Sequence, residues 1–514
     1  MPDRPHIVIF NPDQWRGDAL AHLGHPAVRT PNIDQLVATE AVSFRHAFVQ
    51  ATVCTPSRCS FMTGWYPHVR GHRTMHHMLN PTLGETNLLK VLRDNGYFVW
   101  WGGKNDLVPG QLGFEEHCDV HFRPGPEDYE RWGVTPQPGS HGGDLSWRGP
   151  VDGDNYFSFY KGRLEAADGG AWFDGDWAMV RGAMDFLRRY GGNQPLCMFL
   201  PIGYPHPPYC VEEPWYSLTN RDDVPPRHLY ETWDDKPGLL AGIRDGQRLT
   251  GWTEDRWREL RATYYGMCAR VDHQFGLLLG ALRDSGLYDG SAVFLFSDHG
   301  DFTGDYGLVE KTQNTFQDCL SRVPFILKPP AGVHAMPGIR DQLVELLDFP
   351  ATVYDLAGVD CGYWHFGRSL VDLLGNPDSD HRDAVFCEGG RLVGEVQASE
   401  RESLSAGTAL GLYSPRVALQ VDESAPLRHT KATMCRSDRF KYVRRAFETD
   451  ELYDLLADPG ETRNLIGASE YRDEEFALKE RMLSWYMETC DVVPLETDRR
   501  NFGNIPRAGR SLVQ

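Results

Sequence analysis

The 514-residue sequence predicts an α/β protein: a large, mostly parallel sheet flanked by helices, followed by a smaller C-terminal α+β subdomain containing an antiparallel sheet. Three observations predict it. Uninterrupted apolar runs at residues 6–10, 195–200 and 291–296 stop abruptly at polar residues, as strands buried on both faces of a parallel sheet do. Segments of helical periodicity separate these runs. Near residue 376 the pattern changes to short alternating stretches and turns.

Taken in order, the run 6–10 forms the first strand and sets Asn11, Pro12, Asp13 and Gln14 at its C-terminal end. That is the end at which open α/β sheets bind ligands. Residues 32–40 and 87–96 carry apolar side chains at helical spacing, the second ended by the C-capping Gly96. The stretch 108–170 is rich in Gly, Pro, Asp and Trp and reads as long insertions walling a substrate cleft. The run 195–200 leads into Pro-Ile-Gly-Tyr-Pro-His206-Pro-Pro, and the longest helix spans 253–285 with Gly286 beyond it. The run 291–296 ends in Ser-Asp298-His299-Gly300-Asp301. Residues 429–446 alternate like an antiparallel hairpin, and 473–488 form a helix. The chain thus divides into a large α/β domain over 1–375, a subdomain over 376–490, and a tail over 491–514 without periodicity, either frayed or an arm reaching a neighbouring subunit.

Composition excludes several classes. With 52 basic against 72 acidic residues the net charge is −20, which repels polyphosphate and rules out nucleic acid as a partner. A small anionic substrate must instead meet a local focus of cations inside a cleft. The 14 Trp and 21 Tyr argue against disorder. Eleven scattered Cys with no Cys-x-x-Cys pair form neither a zinc ribbon nor a disulfide framework. The first strand has no secretory segment before it and no run of about 20 apolar residues occurs. These readings predict a cytoplasmic protein without a membrane partner.

The densest chemistry lies at Cys54-Thr-Pro-Ser-Arg58, just ahead of a predicted helix N-terminus. Unpaired N–H donors and partial positive charge at a helix start suit an anionic nucleophile or substrate. Asp13 with Gln14, and Asp298 with His299, put two polar pairs at strand ends, where they can hold a hard divalent cation. Each feature alone also has an ordinary structural reading: a buried Cys packs as a small hydrophobe, and a strand-end Asp caps a helix.

Together and in this order, these residues resemble the type I sulfatases of the alkaline phosphatase superfamily, which also includes phosphonate monoester hydrolases and nucleotide phosphodiesterases. Cys-x-Pro-x-Arg is the maturation signature of that family. The resemblance implies an alkaline phosphatase-like fold. It also implies that a formylglycine-generating enzyme oxidises Cys54 to a formylglycine aldehyde, whose hydrate attacks sulfur or phosphorus. One divalent ion per subunit is implied, with Asp13, Gln14, the group at position 54, Asp298 and His299 as ligands. Sulfatases that bind Ca²⁺ generally carry Asp-Asp and Asp-Asn at these strand ends. The Asp-Gln and Asp-His here look like the phosphonate monoester hydrolase branch, which pairs formylglycine with a Mn²⁺-type site. Imidazole and amide ligands shift preference the same way, so Mn²⁺ is favoured over Ca²⁺ or Mg²⁺.

Other positions match the family's anion and leaving-group contacts. Lys104 resembles the lysine of the sulfatase Gly-Tyr…Gly-Lys segment, although Asn105-Asp106 replaces the usual Trp-His. The phosphonate branch typically lacks this Lys, so the mixture leaves sulfate against phosphonate open. His206 fits the Pro-His-x-Pro histidine near the scissile oxygen, and Lys311 the lysine after Asp-His-Gly. Arg58 matches the arginine whose rigid guanidinium orients the formylglycine oxygens. Residues 72–77, rich in His, border the cleft without singling out one member. The turn motif at 451–465 resembles that of sulfatase C-terminal subdomains.

The implied mechanism has two steps. One hydroxyl of the geminal diol at position 54 attacks while Lys104, Lys311 and the metal hold the non-bridging oxygens, and His206 or Lys311 serves the departing alcohol oxygen. Deprotonation of the second hydroxyl then restores the aldehyde. The expected function is metal-dependent hydrolysis of sulfate esters, arylsulfatase-like and promiscuous toward phosphonate monoesters and phosphodiesters. The alternatives are phosphonate monoester or phosphodiester hydrolysis as the native activity, and a non-catalytic metal-binding scaffold with an unmodified Cys54. Relatives with extended C-terminal arms form homo-oligomers, so a dimer or tetramer is expected.

Overall fold

The apolar runs become the middle of a nine-stranded sheet in the computed structural model, which describes residues 4–139, 144–166, 169–192, 194–405 and 407–492. In chain order the strands are β1 (His6–Asp13), β2 (Val42–Phe48), β3 (Phe98–Gly102), β4 (Val120–Phe122), β5 (Tyr160–Leu164), β6 (Leu196–Pro205), β7 (Tyr209–Glu212) and β8 (Ser291–Phe296). There follow β9 (Arg322–Val323), β10 (Phe325–Lys328), β11 (Gly338–Glu345), β12 (Val385–Gly389), β13 (Ala432–Arg436), β14 (Phe440–Arg445) and β15 (Glu451–Asp454). The large sheet runs β11-β2-β10-β8-β1-β6-β3-β4, with β9 pairing beside β2. The pairs β8-β1-β6-β3-β4 are parallel, as is β11 with β2, and β10 runs against both its neighbours.

Burial on both faces explains the uninterrupted apolar runs. Ile7 and Ile9 of β1 and Phe294 of β8 feed a core on one face, while Val8, Phe10 and Leu295 feed a core on the other. The first face is covered by helices Cys54–Thr63, Leu88–Asp94 and Asp348–Ala357. The second is covered by Pro31–Thr39, Gly175–Arg189 and Glu254–Asp284, the last almost coincident with the predicted 253–285. The first strand continues past its apolar run through Asp13 and pairs with β6 up to Pro205.

Downstream, β12-β13-β14-β15 form an antiparallel sheet against which helix Arg472–Thr489 packs, its Trp485 stacked on Phe386 at 4.5 Å. This sheet shares the first core rather than standing apart. The turn motif after β15 is self-bonded: Asp458 accepts from the backbone N–H of Thr462 and Arg463, and Asn464 accepts from that of Leu452. All eleven cysteines are unpaired. Among the described residues no helix is long and apolar enough to cross a membrane. Residues 493–514, nearly all of the predicted arm, lie outside the described residues.

The stretch 108–170 departs from its prediction. It contributes β4 to the edge of the large sheet and β5, which pairs with β7. Its Gly, Pro and Trp content signalled irregular backbone correctly but not what that backbone packs against.

Lys441 of β14 ties the small sheet to the segment that leads into β9. Its side chain is fully buried and its Nζ donates to Asp318 Oδ1 (2.6 Å), Glu461 Oε1 (2.6 Å) and the Phe316 carbonyl (2.9 Å). Lys441→Met removes the cation and leaves buried carboxylates behind, so urea unfolding should show a loss of about 3–5 kcal/mol. An unchanged midpoint would contradict this role.

Candidate active site

The ends of parallel strands deliver the site. Asp13 closes β1; Lys104 follows β3, His206 follows β6, and Asp298 and His299 follow β8. Cys54 arrives from β2 through a short loop and opens helix Cys54–Thr63 itself, with extended Val53 as its N-cap. The helix therefore begins at the first residue of the motif. Pro56 is tolerated there because first-turn N–H groups have no intrahelical partner. Cys54 and Arg58, four residues apart, stand one turn above the other on the same face. That is the physical content of the Cys-x-Pro-x-Arg spacing.

Arg58, 1% exposed, binds three residues from two strand ends. Its Nη1 donates to Asn11 Oδ1 (2.9 Å), its Nη2 to Asp13 Oδ2 (3.0 Å) and its Nε to Asp298 Oδ2 (3.0 Å). Those carboxylates hold its charge well above the ordinary range against the opposing effect of burial. Asp13 is fully buried, which alone would favour its neutral form. The cations of Lys104 and Arg58 overcome this and hold it well below the usual carboxylate range. Lys104, half-buried, donates to Asp13 Oδ2 at 2.6 Å and lies 2.9 Å from Asp106 Oδ2, and these carboxylates reinforce its charge. A tight backbone approach brings it there: Gly103 has φ +123°, and a Cβ on it would lie 1.9 Å from the Pro201 carbonyl oxygen.

Four of the five predicted ligand residues, Asp13, Cys54, Asp298 and His299, converge with candidate ligand atoms all within 4.8 Å of one another. The tautomer of His299 fits a metal. Its Nδ1 lies 2.9 Å from the Gly300 carbonyl, which can only accept, so the hydrogen sits on Nδ1 and the Nε2 lone pair faces inward. Burial further lowers the pKa of this imidazole and keeps it neutral. Nε2 is 3.2 Å from Cys54 Sγ and 3.7 Å from Asp13 Oδ1. Two carboxylates, a neutral imidazole and the group at position 54 form a donor set suited to a divalent cation. Of Gln14, the fifth, Oε1 accepts from Lys311 Nζ (2.7 Å) and Nε2 donates to Asp301 Oδ2 (2.5 Å).

Cys54, 1% exposed, has its thiol pushed up to about 12 by burial and by the negative charge of Asp13. A thiolate nucleophile is thereby disfavoured.

Lys311 and His206 form the other side of the site. Nδ1 of His206 lies 2.6 Å from the Pro207 carbonyl and carries the hydrogen, so Nε2 accepts from Lys311 Nζ at 2.9 Å. The loop between His299 and Lys311 holds Thr303, Tyr306 and Glu310 in the left-handed region (φ +47°, +58° and +68°), as is Gln14 at +69°.

A cleft of about 510 Å³ opens over these groups, with Cys54, Lys104, His206 and Lys311 on its wall. The rest is not supplied by 108–170, as the sequence predicted; among the described residues none of that stretch lines it. Met75 and His76 border one side, and Glu400, Leu410, Tyr413 and Arg416 from the C-terminal part border the other. His76 is the histidine of the 72–77 stretch that lines the cleft, 3.3 Å from Glu402, whereas His72 is buried against Glu85. Asp301 and Glu310 were within reach of the sequence reading, since Glu310 adjoins Lys311 and Asp301 stands two residues beyond His299. Arg416 lies over a hundred residues downstream of Lys311 and carries no local signal.

With this geometry established, comparison places the chain. The Sulfatase family model matches residues 5–359. The chain is 26% identical to an arylsulfatase of Clostridium perfringens (strain 13 / Type A) over 91% of its length and 92% of that protein's. It is 25% identical to the multifunctional alkaline phosphatase superfamily protein PehA of Trinickia caryophylli, covering 95% and 96% respectively. Its fold matches the crystal structure of the phosphonate monoester hydrolase of Agrobacterium radiobacter with a TM-score of 0.71 and 23% identity, covering 95% of this chain and 96% of that one.

Two outcomes follow from the site. Asp13→Asn and Asp298→Asn should each weaken Mn²⁺ binding to the unmodified protein by at least about tenfold in calorimetry, the loss that even an outer-sphere partner's removal brings. Equal affinities in both variants would put the ion elsewhere. In the metal-free protein, alkylation of Cys54 read by peptide mass spectrometry should climb about tenfold per pH unit from 7 to 9, because its thiolate remains the minor form. A plateau below pH 9 would contradict the raised thiol pKa.

Proposed function

The chain belongs to the sulfatase family, and from that premise we propose that it is a metal-dependent hydrolase of sulfate esters working through a formylglycine made from Cys54. One observation carries the reading: Sγ of Cys54, at the head of a buried helix, lies 3.2 Å from His299 Nε2 and 3.7 Å from both Asp13 Oδ1 and Lys104 Nζ. A side chain there faces a cation site and an anion-binding lysine at once. Because Cys54 is 1% exposed, its oxidation by a formylglycine-generating enzyme would precede folding.

Asp13, Asp298, His299 and the group at position 54 would hold the ion, and the imidazole donor favours Mn²⁺ over Ca²⁺ or Mg²⁺. When bound, it supplies charge neutralisation and eases ionisation of an oxygen near neutral pH. The chain's own residues do the remainder. Asp13 and Asp106 orient Lys104 beside position 54. Lys104 and Lys311 set positive charge around the entering ester and reduce its repulsion of an anionic nucleophile. In the Lys311–His206 pair the proton resides on Lys311, which makes its ammonium the donor for the departing alcohol oxygen while His206 steadies it.

A second reading, phosphonate monoesters or phosphodiesters as the native substrates, is favoured by Asp106, whose carboxylate takes up part of the charge of Lys104. Promiscuity across these esters belongs to either reading. The non-catalytic scaffold finds no comparable support, because it leaves the lysines around the cleft without a task. Eleven unpaired cysteines support a cytoplasmic site of action. We read the protein as a dimer or tetramer.

The test is peptide mass spectrometry of position 54 from the native host, with kcat/KM on matched aryl sulfate, phenylphosphonate and aryl phosphodiester. An aldehyde at position 54, the highest kcat/KM on the sulfate, and a loss of about 10³-fold or more in Cys54→Ala are expected. An intact thiol with full activity would sink the reading, and a phosphonate or phosphodiester preference would select the second.

A further inference from the structure

We propose that Arg416, on helix Ser414–Val421, is a positioning residue for Lys311: by sharing the Glu310 carboxylate, it leaves the Lys311 ammonium available to the bound anion. This rests on the reading of Lys311 as an anion contact. The geometry is a continuous line of buried charge. Lys311 Nζ lies 2.9 Å from Glu310 Oε1, and Glu310 Oε2 lies 3.0 Å from Arg416 Nη1. Nη2 of Arg416 reaches both oxygens of Glu400 at 3.0 Å. Glu400 also accepts from Gln313 (3.0 Å) and Gln420 (3.2 Å). All four charged residues are at most 7% exposed, so water screens little of the interaction.

The surroundings of Lys311 show why the second cation matters. An ammonium has three hydrogens; two are taken by Gln14 Oε1 and His206 Nε2, while Glu310 Oε1 stands 2.9 Å away as a charge contact without hydrogen-bond alignment. An entering anion competes with that carboxylate for the charge and the third hydrogen. Among the described residues, Lys311 and Arg416 are the cations within ion-pair distance of Glu310. Without Arg416 the whole charge of that carboxylate would fall on Lys311, tightening the internal pair against the substrate. Glu310 cannot simply withdraw. Its left-handed backbone (φ +68°) is fixed by its N–H donating to Tyr209 Oη (3.0 Å) and its carbonyl accepting from Phe302 N (2.9 Å).

A purely structural Arg416 would instead only anchor its helix to the large domain. A double-mutant cycle separates the two, read as binding of inorganic sulfate to the full-length unmodified protein and as kcat/KM of the matured enzyme on an aryl sulfate. Arg416→Met should weaken both by about thirtyfold, the worth of one charge-assisted hydrogen bond. It should cost nothing further in a Lys311→Ala background. Arg416→Lys, which keeps the charge but not the fork, should recover part of the loss. Glu310→Gln moves the other way: with the competing charge gone, sulfate should bind more tightly than in wild type, an outcome no anchoring role produces. An additive loss in the double variant, or weaker sulfate binding in Glu310→Gln, overturns the proposal. Intact coupling in sulfate binding without turnover of any sulfate ester would overturn the functional reading alone.

Discussion

One buried guanidinium holds the site together. Asp13 and Asp298 leave β1 and β8 side by side, both fully excluded from solvent. Two carboxylates so placed repel each other and favour protonation unless cations compensate them. Arg58 bonds both, and takes Asn11 with its remaining reach. Because Arg58 sits one helical turn below Cys54, the clamp also fixes position 54 over the carboxylates it secures. Strand order, helix start and ligand geometry therefore depend on one interaction. Asn11 is locked in turn by donating to the Phe296 carbonyl at 2.8 Å, which joins the two strand ends directly.

The same logic extends outward in alternating charge. Asp13 bonds Lys104, and Lys104 meets Asp106; on the other side Lys311 meets Glu310, and Glu310 meets Arg416. Each cation facing the cleft is thus partnered by at least one carboxylate. Such an arrangement keeps lysines charged and aimed without an entering anion, at the cost of some of their attraction for it. The C-terminal part takes part in this balance. It shares the core on one face of the large sheet and also contributes Glu400 and Arg416 to the wall of the cleft.

Much of this was legible in the sequence because the physics there is local. An apolar run ending in Asp or Asp-His marks a parallel strand and the edge at which ligands collect, and both such ends proved adjacent. The spacing of Cys54 and Arg58 encodes a helical turn. What could not be read is long-range and irregular. The excursion between β12 and β13 has little regular structure apart from helix Ser414–Val421 and gave no periodic signal, yet it walls the cleft, while 108–170, with stronger loop character, does not. Gln14 carried no signal of its own geometry: a left-handed backbone sets its amide against Lys311 and Asp301.

Backbone strain shows how far the site is formed in advance. Gln14, Thr303, Tyr306 and Glu310 each occupy a conformation that costs on the order of 1 kcal/mol or more for a residue with a side chain. Buried hydrogen bonds sustain three of them. Asp301 accepts from Tyr209 Oη (2.7 Å) and Thr303 Oγ1 (2.7 Å), Tyr209 in turn accepts from Glu310 N, and Gln14 bonds Asp298 through its backbone N–H at 3.1 Å. A loop held this way does not need to close around its substrate. Its cations already stand where charge must be met, behind an outer rim where the half-exposed Glu402 meets His76.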